Sequence, residues 1–147
     1  MISQEKKGFT LIELLVVVAI IGTLTGLATV NFQDARERAR DAQRKGDIKQ
    51  IQTAMELYKN DQSAQHYPDD NDPVETWREK LESGGYMNNV PSDPKARATG
   101  SSWPDYEYDR SSVLEYTLVA CLENAADPDV DETNTCDSGY SYTLIQP

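Results

Sequence analysis

The chain carries one long apolar run near its N-terminus, and this run limits the possible folds more than any other feature. It extends from Phe9 to about Val30 and contains a single ionisable residue, Glu13. A hydrocarbon layer about 30 Å thick is crossed by roughly 20 predominantly apolar residues in a helix. Because a lone segment in lipid must satisfy its backbone hydrogen bonds internally, the run predicts a membrane-spanning helix.

Glu13 lies within this apolar run, where a carboxylate is costly. A charged side chain in the core of a span costs on the order of 3 kcal/mol and usually has a partner. The residues leave two interpretations open. In one, Glu13 is tolerated close to the lipid headgroups; in the other, its partner is a new positive N-terminus created by cleavage after Gly8. A buried pair of the second kind fixes the register between neighbouring helices rather than adding much stability.

The segment 7–22 reads KGFTLIELLVVVAIIG and resembles the class III leader of type IV pilins and of the pseudopilins of type II secretion. In that family a membrane peptidase cleaves after the glycine and methylates the new N-terminus. The resemblance implies cleavage after Gly8, methylation of Phe9 and a role in assembly for Glu13. Lys6 and Lys7 are expected to keep the leader in the cytoplasm, since basic residues favour that side.

A helical pattern continues beyond the apolar run. Apolar and small residues recur at spacings of three and four from Phe32 to Tyr58, which predicts one helix of about fifty residues ending near Asp61. A basic cluster follows the span and consists of Arg36, Arg38, Arg40, Arg44 and Lys45. These residues form either a solvated helix face or a surface that meets acidic groups of neighbouring subunits.

The remaining chain predicts a small head with a short helix and a sheet. Residues 74–83 form the helix candidate, and alternating apolar and polar residues mark three strand candidates, at 106–108, 114–122 and 140–145. The expected fold is α+β, with a long N-terminal helix packed against a small antiparallel β-sheet, as in pilins. The domains expected are a leader at 1–8, a transmembrane and filament-core helix at 9–32, an amphipathic helix at 33–61 and a globular head at 62–147.

Composition excludes some classes of function. The net charge is −11, and from residue 50 onward there are nineteen acidic residues against six basic ones. Such a head is not expected to bind nucleic acid directly, because phosphate contacts require a basic surface. The sequence also lacks a Gly-x-Ser-x-Gly motif and a phosphate-binding glycine loop. We therefore do not expect an enzyme.

Two cysteines, Cys121 and Cys136, lie in the part expected to face outward. An even number of cysteines in an extracytoplasmic domain predicts a disulfide, and free thiols or a metal pair are the alternatives. The chain has one histidine, so a zinc site would be poorly supplied with ligands. The disulfide is the favoured interpretation.

An acidic loop precedes the last strand candidate. Asp127, Asp129 and Asp131 stand at alternate positions and Asp137 follows, and carboxylates so spaced suit a calcium ion, which takes six to eight oxygen ligands. The alternative is a solvated acidic turn, since the glycine and final glutamate of an EF-hand loop are absent. The resemblance to pseudopilins, which have a calcium-binding C-terminal loop, supports calcium; no other cofactor is expected.

These features together predict the main subunit of an extracellular type IV pilus. The chain is expected to be a single-pass membrane protein with a cytoplasmic N-terminus, and to join a helical homopolymer at the cell surface. Its expected partners are a prepilin peptidase and a membrane assembly platform driven by an ATPase. The first alternative is the major pseudopilin of a type II secretion system, favoured by Pro91-Ser92-Asp93-Pro94 and the acidic loop. The second is a monomeric membrane-anchored binding domain.

Overall fold

The structure is a computed structural model that describes residues 8–72, 74–131, 136–137 and 139–146, with the backbone alone at 27–31. The leader residues 1–7 therefore lie outside the described part. The chain divides into two compact units, Met1–Arg36 and Glu37–Pro147.

Helix α1 spans Leu11–Asp61, which is 51 residues. This agrees with the predicted helix of about fifty residues that ends near Asp61. Up to residue 26 its apolar side chains are exposed; Phe9, just before the helix, is 82% exposed and Ile12 is 69% exposed. In the described residues, no helical stretch of eighteen residues is apolar enough to qualify as a membrane span.

A second helix, α2, spans Trp77–Ser83. Its start is fixed by a capping box: the Thr76 side chain accepts a hydrogen bond from the backbone N–H of Glu79, and the Glu79 side chain accepts one from the Thr76 N–H. The helix begins later than the predicted residue 74 because this box places the first turn after Thr76. Gly84 follows, and Gly85 adopts a positive φ of 75° that suits glycine.

Three strands form one antiparallel sheet in the order β1-β2-β3. They are β1 (Glu107–Ser112), β2 (Glu115–Leu122) and β3 (Tyr140–Gln146). The central strand β2 pairs on both sides, with Leu118 opposite Tyr108 on one side and opposite Leu144 on the other. The predicted strand positions agree with these bounds, except that β1 extends further along the chain than expected.

The core lies between the sheet and the second half of α1. Alternate residues of β2 have no exposed surface, which is the pattern of a strand with one buried face; they are Tyr116, Leu118, Ala120 and Leu122. Ile48, Ile51 and Met55 of α1 belong to the same cluster and are also fully buried. The predicted α+β, pilin-like arrangement is confirmed.

On the N-terminal side of this apolar core, the buried face of α1 is charged rather than apolar. Asp41, Arg44 and Asp47 are buried, whereas Ala39 and Ala42 are exposed. In this part of α1, the small residues of the predicted periodic pattern therefore do not pack against the head. The helix residues that the head buries here are charged.

Candidate assembly site and charged network of the head

The N-terminus of α1 holds Glu13 in a local hydrogen-bonded arrangement. Its Oε2 accepts from the backbone N–H of Thr10 at 2.8 Å and from the Thr10 hydroxyl at 2.7 Å. The Glu13 N–H in turn contacts the Thr10 hydroxyl oxygen at 3.3 Å. This reciprocal pattern is a capping box, in which side chains satisfy N–H groups that the first helical turn leaves unpaired.

The capping box gives Glu13 a partner that the sequence reasoning missed. The available signal was Thr10-x-x-Glu13 directly before an apolar run, which is a recognised helix start. Both residues remain exposed, and Glu13 shares a shallow surface depression with Phe9, Ile12, Val16 and Val17. The candidate assembly residues Phe9 and Glu13 are thus adjacent and accessible, and Gly8 is exposed beside them.

A fully buried arginine organises the charged network of the head. Arg44 on α1 donates from Nε to Asp93 Oδ2 at 2.5 Å, and from Nη1 to Asp41 Oδ1 at 2.6 Å and to Glu123 Oε1 at 2.8 Å. Asp93 comes from the loop before the sheet, and Glu123 directly follows β2. A buried charge of this kind requires such pairing, because its desolvation is otherwise not compensated.

Further contacts complete the network. Asp41 accepts from the backbone N–H groups of Glu123 and Asn124, both at 2.9 Å, so α1 binds the backbone that leaves β2. Arg40 reaches the same glutamate through two hydrogen bonds, at 2.6 and 2.7 Å. These contacts connect α1, the loop before the sheet and the end of β2.

The network sets the ionisation of its members. Hydrogen bonds from Arg40, and then from Arg44 and Lys95, lower the pKa of Glu123 to about 2, although its burial acts in the opposite direction. Burial opposes the charge of Arg44, but its hydrogen bonds to the surrounding carboxylates outweigh this effect and raise the Arg44 pKa. Glu123 and Arg44 therefore remain charged at neutral pH.

An indole ring lies over two of these cations. The Arg44 guanidinium lies 5.1 Å from the centre of the Trp103 ring, and the Lys95 ammonium lies 3.9 Å from it. An aromatic face attracts cations through its quadrupole, so the Trp103 ring stabilises the positive charges of Arg44 and Lys95.

For three members of the basic cluster on α1, both sequence-based interpretations are wrong. Arg40, Arg44 and Lys45 pair with carboxylates of the same head. They neither form a solvated face nor remain free for a neighbouring subunit. Their partners stand some 50 to 80 residues later in the chain, so helical periodicity gave no signal for them. Arg36 and Arg38 are exposed.

The predicted disulfide is present in the structure. Cys121 in β2 is bonded to Cys136 across a sequence separation of 15, with the Cα atoms 5.8 Å apart. Both residues are buried. The bond closes the loop that contains the acidic run.

The four predicted calcium ligands are not gathered in the structure. Asp127 and Asp129 bind the ammonium of Lys45, Asp131 is half-buried, and Asp137 is exposed and lines a depression beside Trp103. Within the described ranges no group of three or more acidic, histidine or cysteine residues is placed to hold a metal ion. Calcium binding stays a prediction.

Comparison with known proteins gave one family and a consistent set of relatives. The model of the prokaryotic N-terminal methylation motif matches residues 4–29. The chain is 32% identical over 101 residues to the type II secretion system core protein G of Escherichia coli, covering 63% of this chain and 68% of that protein. The protein of the same name from Pseudomonas aeruginosa is 34% identical over 100 residues, covering 62% and 69%.

A third relative matches a larger share of the chain than these two. The type II secretion system core protein G of Vibrio cholerae is 30% identical over 129 residues, covering 80% of this chain and 82% of that protein. No solved structure matches the chain.

Proposed function

The chain belongs to the pilin and pseudopilin family, and we propose that within this family it is the pseudopilin subunit of a type II secretion system. The observation that supports this proposal is the share of the chain that the similarity covers. A methylation motif at residues 4–29 suits pilins and pseudopilins alike. The match to the Vibrio cholerae secretion protein covers 80% of the chain and thus includes much of the head. This favours the first alternative of the sequence analysis over a type IV pilus subunit.

Assembly begins with cleavage after Gly8, which leaves Phe9 as a positively charged N-terminus. Glu13 lies close by on the exposed first turn of α1 and is the carboxylate that can receive this amine from an adjacent subunit. A charge pair of this kind selects one stagger between helices.

Packing of the apolar helices then supports the filament. When the apolar helix moves from the membrane into a filament, it exchanges lipid for the apolar surfaces of other helices. The hydrophobic effect therefore contributes little to this step, and close packing between helices favours the assembled state. Gly22 and Gly26 are spaced by four, and a Cβ built at either position meets nothing within 4 Å in the subunit. Their backbone is therefore open to close approach by another helix, as small residues at this spacing allow.

Deletion of the gene from its own host, with complementation, tests this function. Loss of the chain is expected to stop the release of folded exoproteins into the medium and to leave surface pili unchanged. The Glu13→Ala variant is expected to fail to restore secretion although the chain is present in the membrane at its normal level. Normal secretion together with missing surface pili would instead identify a pilus subunit.

The intact mass of the chain recovered from the assembled filament tests processing. A chain that begins at a methylated Phe9 is expected, and it should be two hydrogens lighter than the free-thiol form because of the Cys121–Cys136 bond. A Cβ added to Gly8 meets nothing within 4 Å, so Gly8→Val should leave the fold intact. Any loss of cleavage in this variant is then due to recognition by the peptidase and not to misfolding. A chain that still begins at Met1 and stays in the membrane fraction would favour a monomeric anchored domain.

A further inference from the structure

One lysine holds the loop between β2 and β3 against α1. The Lys45 ammonium lies 2.9 Å from each carboxylate oxygen of Asp127 and 2.8 Å from Oδ2 of Asp129. The Asp127 side chain is only 12% exposed and that of Lys45 only 21%. Three carboxylate oxygens therefore converge on one largely covered cation.

The loop presents these carboxylates together. The N–H of Asp129 donates to Asp127 Oδ1 at 3.0 Å, and the N–H of Val130 donates to the Asp127 carbonyl oxygen at 3.3 Å. This tight turn places the two aspartates on the same side. Burial opposes the charge of Asp127, but the Asp129 N–H and Lys45 outweigh it and lower the Asp127 pKa. Hydrogen bonds to Asp129 and Asp127 raise the pKa of Lys45.

The described residues do not fit a calcium ion in this loop. Calcium takes six to eight oxygens at one centre. Asp127 and Asp129 already surround the Lys45 ammonium, while Asp131 and Asp137 are not brought into a common group with them. The position at which the two aspartates converge is occupied by a side chain of the protein itself.

We propose that the ammonium of Lys45 takes the place of a divalent cation in fixing the loop between β2 and β3. A bound ion stabilises a fold appreciably only when its free concentration reaches or exceeds its dissociation constant. An ammonium attached to α1 is always present. On this proposal, the contact that holds the loop against α1 does not depend on the calcium level outside the cell.

Thermal unfolding of the full chain in detergent micelles, followed by near-ultraviolet circular dichroism, tests the proposal. The wild-type Tm is expected to be equal in EGTA, in millimolar calcium chloride and in magnesium chloride of the same ionic strength. Lys45→Met should lower the Tm by about 5 °C, because it leaves the covered Asp127 carboxylate without a counter-charge. The control is Lys49→Met, an exposed lysine on the same helix. A wild-type Tm that rises in calcium but not in magnesium would overturn the proposal.

A double-mutant cycle tests the pairing itself. Asp127→Asn and Lys45→Met are each expected to lower the Tm, and the double variant is expected to lose less than both effects added, since the two changes remove the same interaction. Strictly additive losses would overturn the proposal. Lys45→Gln replaces Lys45→Met if the latter does not fold, because its amide still donates to one carboxylate.

Discussion

Arg44 on α1 and Asp93 in the loop before the sheet form a buried ion pair, with Nε and Oδ2 2.5 Å apart. The same aspartate accepts from the backbone N–H groups of Lys95 at 2.7 Å and Ala96 at 3.2 Å, and so it also shapes the turn that follows. One carboxylate therefore both orders the loop and binds it to the helix.

Replacement of Arg44 by methionine is expected to destabilise the head strongly. The change leaves Asp93, Asp41 and Glu123 without their shared cation, and breaking a buried pair costs about 3–5 kcal/mol. We expect the Tm of the full chain in micelles to fall by more than about 10 °C. The matched control is Arg38→Met, an exposed arginine on the same helix, which should change little. Equal Tm values for the two variants would contradict a central role for Arg44.

Glu123 should make the head sensitive to acid. Its pKa is about 2 in the folded chain, against a usual value of 4.5, because Arg40, Arg44 and Lys95 favour the charged form. A group whose pKa is lowered by folding adds stability above its unfolded pKa and loses it as the pH falls through the folded value. The loss should therefore occur between about pH 4.5 and pH 2 and amount to about 3 kcal/mol.

The measurement is the free energy of unfolding of the wild type and of Glu123→Gln from neutral pH down to pH 2. The variant should be less stable than the wild type at neutral pH, and the difference should shrink as the pH falls. Glu115→Gln, at an exposed position on β2, serves as the control. A constant difference from pH 5 to pH 2 would show that the charge of Glu123 does not contribute.

The disulfide should contribute substantially to the stability of the head. It closes a loop across a sequence separation of 15, for which the loss of chain entropy predicts about 3 kcal/mol. Replacement of both Cys121 and Cys136 by alanine should lower the Tm by about 10 °C, and each single variant should lose nearly as much. Reduction of the wild type should reproduce this change. An unaltered Tm would mean that the Lys45 contact alone holds the loop.

The sequence predicted the parts of the fold that depend on local pattern. Spacings of three and four indicated α1, and alternation along residues 114–122 indicated a strand. Its alternate residues Tyr116, Leu118, Ala120 and Leu122 are all buried in β2. The leader motif also identified the family, because Gly8, Phe9 and Glu13 stand at fixed positions next to an apolar run. These signals lie within single segments and require no knowledge of distant contacts.

The charged network could not be predicted in the same way. Arg44 interrupts an apolar stripe, and a charged residue at such a position usually indicates a solvated face. It is buried because Asp93 and Glu123 approach from segments 49 and 79 residues away. Lys45 is similar, since its partner Asp127 lies 82 residues along the chain. Long-range pairing is a property of the folded chain, and no short motif encodes it.

Glu13 has two physical roles that substitutions can separate. Its carboxylate caps α1 through Thr10, and under the proposed function its charge also receives the N-terminus of a neighbouring subunit. Glu13→Gln removes the charge but keeps an oxygen that accepts hydrogen bonds, whereas Thr10→Val keeps the charge and weakens the cap by about 1 kcal/mol. We expect Glu13→Gln and Glu13→Ala to abolish filaments at normal levels of membrane protein, and Thr10→Val to retain them.

Filaments sheared from cells and quantified against the membrane-bound chain provide the measurement. Normal filaments from Glu13→Gln would show that capping, not charge, is what assembly requires. Loss of filaments in Thr10→Val alone would lead to the same conclusion. If Glu13→Ala changed neither filaments nor secretion, the carboxylate would have no part in assembly, and the chain would act as a monomeric anchored domain.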